Sequence, residues 1–161
     1  MKVVTSAPQV PEEGWPQPLV ELYQQRGVAF VRLAYLLTGD ANVAEELVHD
    51  AFLASLGRWD QVREPGPYIR AAVVNHCRSW GRRRAMERRH LPAPAAPAEL
   101  RADELWDALG RLDERRRAAI VLRFYEDLPD ETIAHILGCR PATVRTAIHR
   151  GLKDLRREVT P

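Results

Sequence analysis

The sequence predicts an all-α protein of two small helical domains, an N-terminal helical bundle and a C-terminal helix-turn-helix domain, joined by a Pro/Ala-rich linker. Three observations predict this. Apolar residues recur at helical spacing from Leu19 to Trp59 and again after Leu100. No stretch alternates apolar and polar residues as a half-buried strand does. Residues 91–98, LPAPAAPA, carry three prolines and no charge, so they read as an extended spacer and not as a packed element. The predicted layout is a flexible tail (1–15), a first domain (16–90), a linker (91–99) and a second domain (100–161), each domain near the lower size limit for independent stability.

Residues 1–15 hold Pro8, Pro11 and Gly14 without periodicity, hence the tail. Leu19, Leu22, Tyr23, Phe30, Leu33, Ala34 and Leu37 give the first helix, which Thr38-Gly39-Asp40 ends with a stop and a turn. A second helix over 41–59 has the stripe Ala44, Leu47, Val48, Ala51, Phe52, Ser55, Leu56 and Trp59, the spacing of a buried face. Pro65 and Pro67 suit the opening turn of a third helix, which runs through Tyr68, Ile69, Ala72, Val73 and Cys77 into an arginine cluster. After the linker, residues 100–112 and 113–125 form two further helices, with Ile120, Leu122 and Phe124 supplying apolar bulk.

The formal net charge of +2 is unremarkable, but its distribution is uneven. Arg78, Arg82, Arg83, Arg84, Arg88 and Arg89 crowd one stretch, and Glu45, Glu46 and Asp50 crowd an earlier one. Such asymmetry suits one surface for a polyanion and another for a basic partner, or equally two solvated helix faces. Cys77 and Cys139 stand far apart in no paired spacing, which argues against a disulfide framework or a zinc knuckle and for two buried thiols in a reducing cytosol. No apolar run has the length of a signal peptide or a membrane span, so a cytoplasmic protein without membrane insertion is expected.

Residues 131–150 carry the most specific motif. Asp130 can cap a short helix, Ala134 lets two helices cross closely, Gly138 permits a left-handed turn, and Pro141 opens a second helix. Val144 and Ile148 return to the core of Ile133 and Leu137, which makes a helix-turn-helix whose second helix enters a major groove. Val144, Ile148, Leu152 and Leu155 share one face of that helix. Ala142, Thr143, Thr146, His149, Arg150 and Lys153 lie on or beside the opposite face, flanked by Arg145. Thr146 and Arg150 are placed for base edges, Arg150 bidentately to a guanine, and Arg145, Lys153 and Arg157 for phosphates. The plainer alternative is a helical hairpin with a solvated basic face.

On the second helix, Glu46, His49, Asp50 and Leu53 fall three and four apart, forming one exposed row. Acidic groups around an exposed leucine suit docking of a basic protein, or simply a solvated face. On the third helix Tyr68, Asn75, His76, Arg78, Trp80 and Arg82, Arg83 and Arg84 mix aromatic, amide and guanidinium groups. Aromatics stack on unpaired bases, amides read their edges and arginines hold the backbone, a combination suited to melting DNA. Trp80 is equally well placed for a core position.

These segments resemble a known family. AEELVHDAFL (44–53), followed by Trp59, resembles the sigma-factor helix that binds the clamp helices of RNA polymerase. YIRAAVVNHCRSWGRR (68–83) and the next arginine, Arg84, resemble the helices that open and read the −10 promoter element. LDERRRAAIVLRFYEDL (112–128), running into the helix-turn-helix, resembles the domain that reads the −35 element and contacts the polymerase flap. The resemblance covers about residues 19–157, and two domains without an intervening one match the extracytoplasmic-function (ECF) group. LLTGD (36–40) and NHCRSW (75–80) are most similar to its actinobacterial SigE-type members.

The resemblance implies a transcription initiation factor that binds core RNA polymerase and promoter DNA, needs no cofactor and works on no small-molecule substrate. It implies core-polymerase contacts at Glu46, His49, Asp50 and Leu53, with His49 standing where the family usually has glutamine. It implies −10 contacts at Tyr68, Asn75, Arg78, Trp80, Arg82, Arg83 and Arg84, and −35 contacts at Thr143, Arg145, Thr146, His149, Arg150 and Lys153. Arg140 replaces the usual serine before the recognition helix. An anti-sigma factor covering these faces is a further possible partner. Two rivals remain at this point: a stand-alone helix-turn-helix regulator, and an enzyme acting on nucleic acid. The enzyme lacks support in the residues, because His49-Asp50 and His76-Cys77 point to different helix faces and no metal-ligand spacing or phosphate-binding glycine loop occurs.

Overall fold

A computed structural model describes residues 13–88 and 104–159, and every regular element among them is helical. The linker at 91–99 and the tail up to residue 12 lie outside the described residues. The elements are α1 (Gln17–Thr38), α2 (Ala41–Leu56), a 3₁₀ turn (Trp59–Gln61), α3 (Pro65–Arg88), α4 (Glu104–Arg111), α5 (Glu114–Phe124), α6 (Asp130–Leu137) and α7 (Pro141–Val159). The protein is all-α, as the sequence predicts. Contacts divide it into residues Met1–Cys77 and Arg78–Pro161, a boundary inside α3 and ahead of the proline-rich segment.

In the first unit α1 lies against α2, and the turn between them is built from local chemistry. The Thr38 hydroxyl donates to the Ala34 carbonyl at 2.8 Å in the last turn of α1. Gly39 takes φ 74°, a left-handed conformation that a side chain disfavours. Asp40 then caps α2, its Oδ1 accepting the Asn42 and Val43 amides at 3.0 and 3.1 Å. Leu19, Phe30, Leu33, Ala44, Val48 and Phe52 fill the core between the helices.

Two expectations fail here. Trp15, counted in the tail, is buried, because its ring stacks on Phe52 of α2. Trp59 does not extend the α2 stripe. The helix stops at Leu56, the Ser55 hydroxyl donates to the Phe52 carbonyl at 2.6 Å, and Trp59 starts the short 3₁₀ turn half-buried.

In the second unit α5, α6 and α4 all pack on α7. Leu109, Leu112 and Ile120 form a cluster with Leu152 and Leu155, and Ile133, Leu137 and Val144 are buried beside the turn. Asp113 caps α5 by accepting the Arg116 amide at 2.9 Å. Gly138 (φ 66°) makes the turn of the helix-turn-helix, and the Cys139 amide closes it on the Ala134 carbonyl at 3.0 Å. A Cβ on Gly151 would fall 2.5 Å from Ile120 Cδ1, so this glycine lets α5 and α7 approach closely. Phe124 corrects the sequence reading: it is 63% exposed and adds nothing to the core. Asp130 is the first residue of α6 and not its cap, a place taken by Pro129; its carboxylate pairs instead with Arg123 and Arg145.

Arg140 precedes α7, and its carbonyl accepts the Val144 amide at 3.2 Å, the backbone geometry of a cap position. Arginine lacks the side-chain oxygen that satisfies a first-turn amide. Arg140→Ser is therefore expected to stabilise the protein by about 1 kcal/mol, read as a higher urea midpoint with unchanged slope. A lower midpoint would mean that the arginine itself supports the turn.

Candidate docking and nucleic-acid surfaces

Each predicted surface starts from a helix whose other face is committed to a core. On α2, Ala44, Leu47, Val48, Ala51 and Phe52 turn inward, and this leaves Glu46, Asp50 and Leu53 exposed on the outer side. Leu53 is an exposed apolar residue at 36%. His49, fourth member of the row, is half-buried and stacks against Trp15 with ring centroids 6.1 Å apart. Nearby, burial and the adjacent Glu45 carboxylate raise the Tyr23 hydroxyl above the ordinary tyrosine range.

Along α3, Ile69, Val73, Val74 and Cys77 form the buried stripe, and Tyr68, Asn75 and Arg82 follow one another at seven-residue spacing on the exposed side. Arg83 and Arg84 are also exposed. Trp80 is half-buried, and the Arg84 guanidinium sits 5.3 Å from its ring centroid, a cation–π contact covering that face.

Arg78 departs from its predicted place. It is 7% exposed, its Nε donates to Glu114 Oε2 at 2.6 Å, Nη2 to Oε1 at 3.4 Å, and Nη1 to the Leu137 carbonyl at 3.1 Å. The reason is periodicity, since position 78 follows Val74 by four residues and continues the buried stripe. Arg82, 3.8 Å from the same carboxylate, stays exposed. The Cys77 thiol is buried and pushed by that burial up to about 12, which leaves it un-ionised and unreactive at neutral pH. Among the described residues no group of His, Cys, Asp and Glu could hold a metal ion.

On α7 the outward residues are Arg145, Thr146, His149, Arg150 and Lys153, all exposed, while Val144 and Ala147 are buried and Thr143 is half-buried. The Thr146 hydroxyl donates to the Ala142 carbonyl at 3.0 Å, so its methyl and its oxygen lone pairs remain for a ligand. Arg145 also lies 3.6 Å from Asp130, a pairing that leaves it 60% exposed. A shallow cleft of about 330 Å³ runs beside Thr143, Thr146 and Arg150 and is bounded by Asp113, Glu114, Arg115 and Arg116. Arg116 is tied to Asp154 at 2.6 Å and Asp113 at 3.1 Å, whereas Arg115 is exposed at the cleft edge. Arg115 is an exposed cation beside α7 that the sequence reading did not single out. The run Arg115-Arg116-Arg117 is visible in the sequence, but only the packing of α5 on α7 shows which of them faces the cleft.

Among the described residues no helix is long and apolar enough to cross a membrane. Residues 102–155 match the family described as Sigma-70, region 4. The RNA polymerase sigma-E factor of Streptomyces avermitilis is 32% identical, with 86% of this chain and 83% of that one covered. The sigma-E factor of Streptomyces coelicolor is also 32% identical, over 86% and 84%. In fold, the chain is similar to the sigma factor RpoE of Bartonella quintana, solved with the anti-sigma factor NepR. The TM-score is 0.67 at 22% identity, covering 88% of this chain and 99% of that one.

Proposed function

The chain belongs to the ECF-type RNA polymerase sigma factors, which direct promoter-specific transcription initiation, and from that premise we propose how its residues divide the work. As a family member it binds core RNA polymerase and promoter DNA and performs no chemistry of its own, which removes both the regulator and the enzyme readings. Residues 16–90 bind core polymerase and the −10 element, 91–99 connect, and 100–161 read the −35 element.

The observation that carries the −35 assignment is the outward face of α7. Thr146, His149, Arg150 and Lys153 project from a helix whose opposite side is locked into the helix-turn-helix core. A helix so mounted presents side chains to a major groove while its own position is fixed by α5 and α6. Thr146 and Arg150 reach base edges, Thr143 borders the cleft, and Arg145 and Lys153 hold phosphates, with Arg115 added to them. Core polymerase docks on Glu46, His49, Asp50 and Leu53. Tyr68, Asn75, Trp80, Arg82, Arg83 and Arg84 engage −10 bases and backbone as the duplex opens. Arg78 is reassigned from DNA to the buried ion pair with Glu114 inside the second unit. The protein acts in the cytoplasm, and an anti-sigma partner inhibits it by covering the α2 row or the α7 face.

In vitro transcription from a promoter library with core polymerase tests the assignment. Arg150→Ala is expected to weaken transcription from the preferred −35 sequence by roughly 1–3 kcal/mol in apparent affinity and to relax preference at a single base pair. An unaltered promoter profile would remove Arg150 from the base-reading set.

A further inference from the structure

Trp15 stands ahead of α1, yet its contacts are made with α2. It is 9% exposed and lies flat on Phe52, with ring centroids 5.8 Å apart and planes 5° from parallel. Tyr23 meets it edge-on at 5.7 Å and 89°. The same indole carries the His49 imidazole at 6.1 Å and 28°. His49 and Phe52 are neighbours on consecutive turns of α2, so one ring bridges the core at Phe52 and the rim at His49.

That bridge decides how His49 is presented. An imidazole on a helix rim samples several rotamers, and ordering it on binding costs free energy. Packing one face on a fixed indole removes much of that freedom before a partner arrives. Aromatic pairs within about 7 Å have the strength to do so. The indole is itself fixed, since Phe52 is fully buried and Tyr23 closes its edge. Glu46, Asp50 and Leu53, all exposed, share the outer side of α2 with His49.

We propose that Trp15 is a positioning residue of the polymerase-docking face: its indole, anchored on Phe52 and Tyr23, holds the His49 imidazole in the orientation it presents to core RNA polymerase. This rests on the assignment of the Glu46, His49, Asp50 and Leu53 row to the polymerase. Trp15 acts through His49 and needs no contact with the polymerase itself.

A double-mutant cycle on affinity for purified core RNA polymerase tests it, using the full chain. Trp15→Leu keeps an apolar group on Phe52 but offers no ring face, and Trp15→Met repeats the arm with a side chain that fills irregular space. Thermal melts identify which of the two is fully folded at the assay temperature. Each of Trp15→Leu and His49→Ala is expected to raise Kd roughly three- to tenfold. The double variant is expected to bind no worse than His49→Ala, and Trp15→Phe to bind close to the unmodified protein. A purely structural role makes the two losses multiply, whatever stability phenylalanine restores. Multiplying losses, or wild-type affinity in Trp15→Leu, overturn the proposal. Asp50→Lys separates the two layers. If it binds normally, the face assignment fails and the proposal with it; if it binds poorly while the losses multiply, only the positioning role fails.

Discussion

Replacing Glu114 with alanine is expected to destabilise the protein by about 3 kcal/mol, the scale seen when one partner of a buried ion pair is removed. Arg78 is 7% exposed and Glu114 26%, so the guanidinium has little water to turn to once the carboxylate is gone. Two of its three hydrogen bonds end on Glu114, and the Leu137 carbonyl alone cannot neutralise the charge. Glu114 also lies in the first turn of α5, where a carboxylate is favoured by the helix dipole, and that adds a few tenths of a kcal/mol to the loss. Urea unfolding followed by circular dichroism reads the change. The comparison that isolates the cause is Arg78→Met with Glu114→Leu, which removes both charges and leaves apolar groups of similar bulk. It should recover most of the stability, because leaving a charge unpaired costs more than the pair contributes. A loss below about 1 kcal/mol in Glu114→Ala would mean that the pair behaves as an ordinary surface ion pair in solution.

Arg78 also marks where sequence reasoning reaches its limit. Its charge placed it with Arg82, Arg83 and Arg84 as a DNA ligand, whereas its spacing from Val74 placed it on the buried side. Spacing prevailed because Glu114, thirty-six positions along the chain, supplies a partner that no local pattern announces. Trp15 failed for the same reason. The residues before it have no periodicity, and its stacking partners His49 and Phe52 come from a different helix. Phe124 shows the converse error. Apolar character placed it in the core, but α5 turns Ala118, Ala119 and Leu122 inward and leaves the phenylalanine ring outside.

What was legible had local causes. The α2 row is the complement of a helical stripe, so Ala44, Leu47, Val48 and Ala51 fix where Glu46 and Asp50 must point. The helix-turn-helix was readable because Gly138 and Pro141 mark its turn and Ile133 and Val144 mark its core. Arg115 lay between these cases. Its charge was evident, but its place beside Thr143 and Arg150 depends on how closely Gly151 lets α5 approach α7.

Asp50→Lys is expected to raise the Kd for core RNA polymerase by at least about thirtyfold, roughly 2 kcal/mol. The substitution changes the local charge by two units at an exposed position in the middle of the acidic row. It also has an indirect effect. A lysine at 50 stands four residues after Glu46, the favourable order for a helical ion pair, so it draws the Glu46 carboxylate away from a basic partner. Folding should survive, because lysine is at least as good a helix former as aspartate and the core face of α2 is untouched. Equal circular dichroism spectra and melting curves for the two proteins would establish that. Binding of the unmodified protein should weaken as salt rises from 0.1 to 0.5 M (~10 Å to ~4 Å screening length), and the gap between the two proteins should narrow with it. An affinity unchanged by Asp50→Lys at low salt would move polymerase docking to another surface of the chain. A thirtyfold loss confined to low salt would identify the row as an electrostatic contact, and a loss that persists at high salt would place Asp50 in a desolvated pair at the centre of the interface.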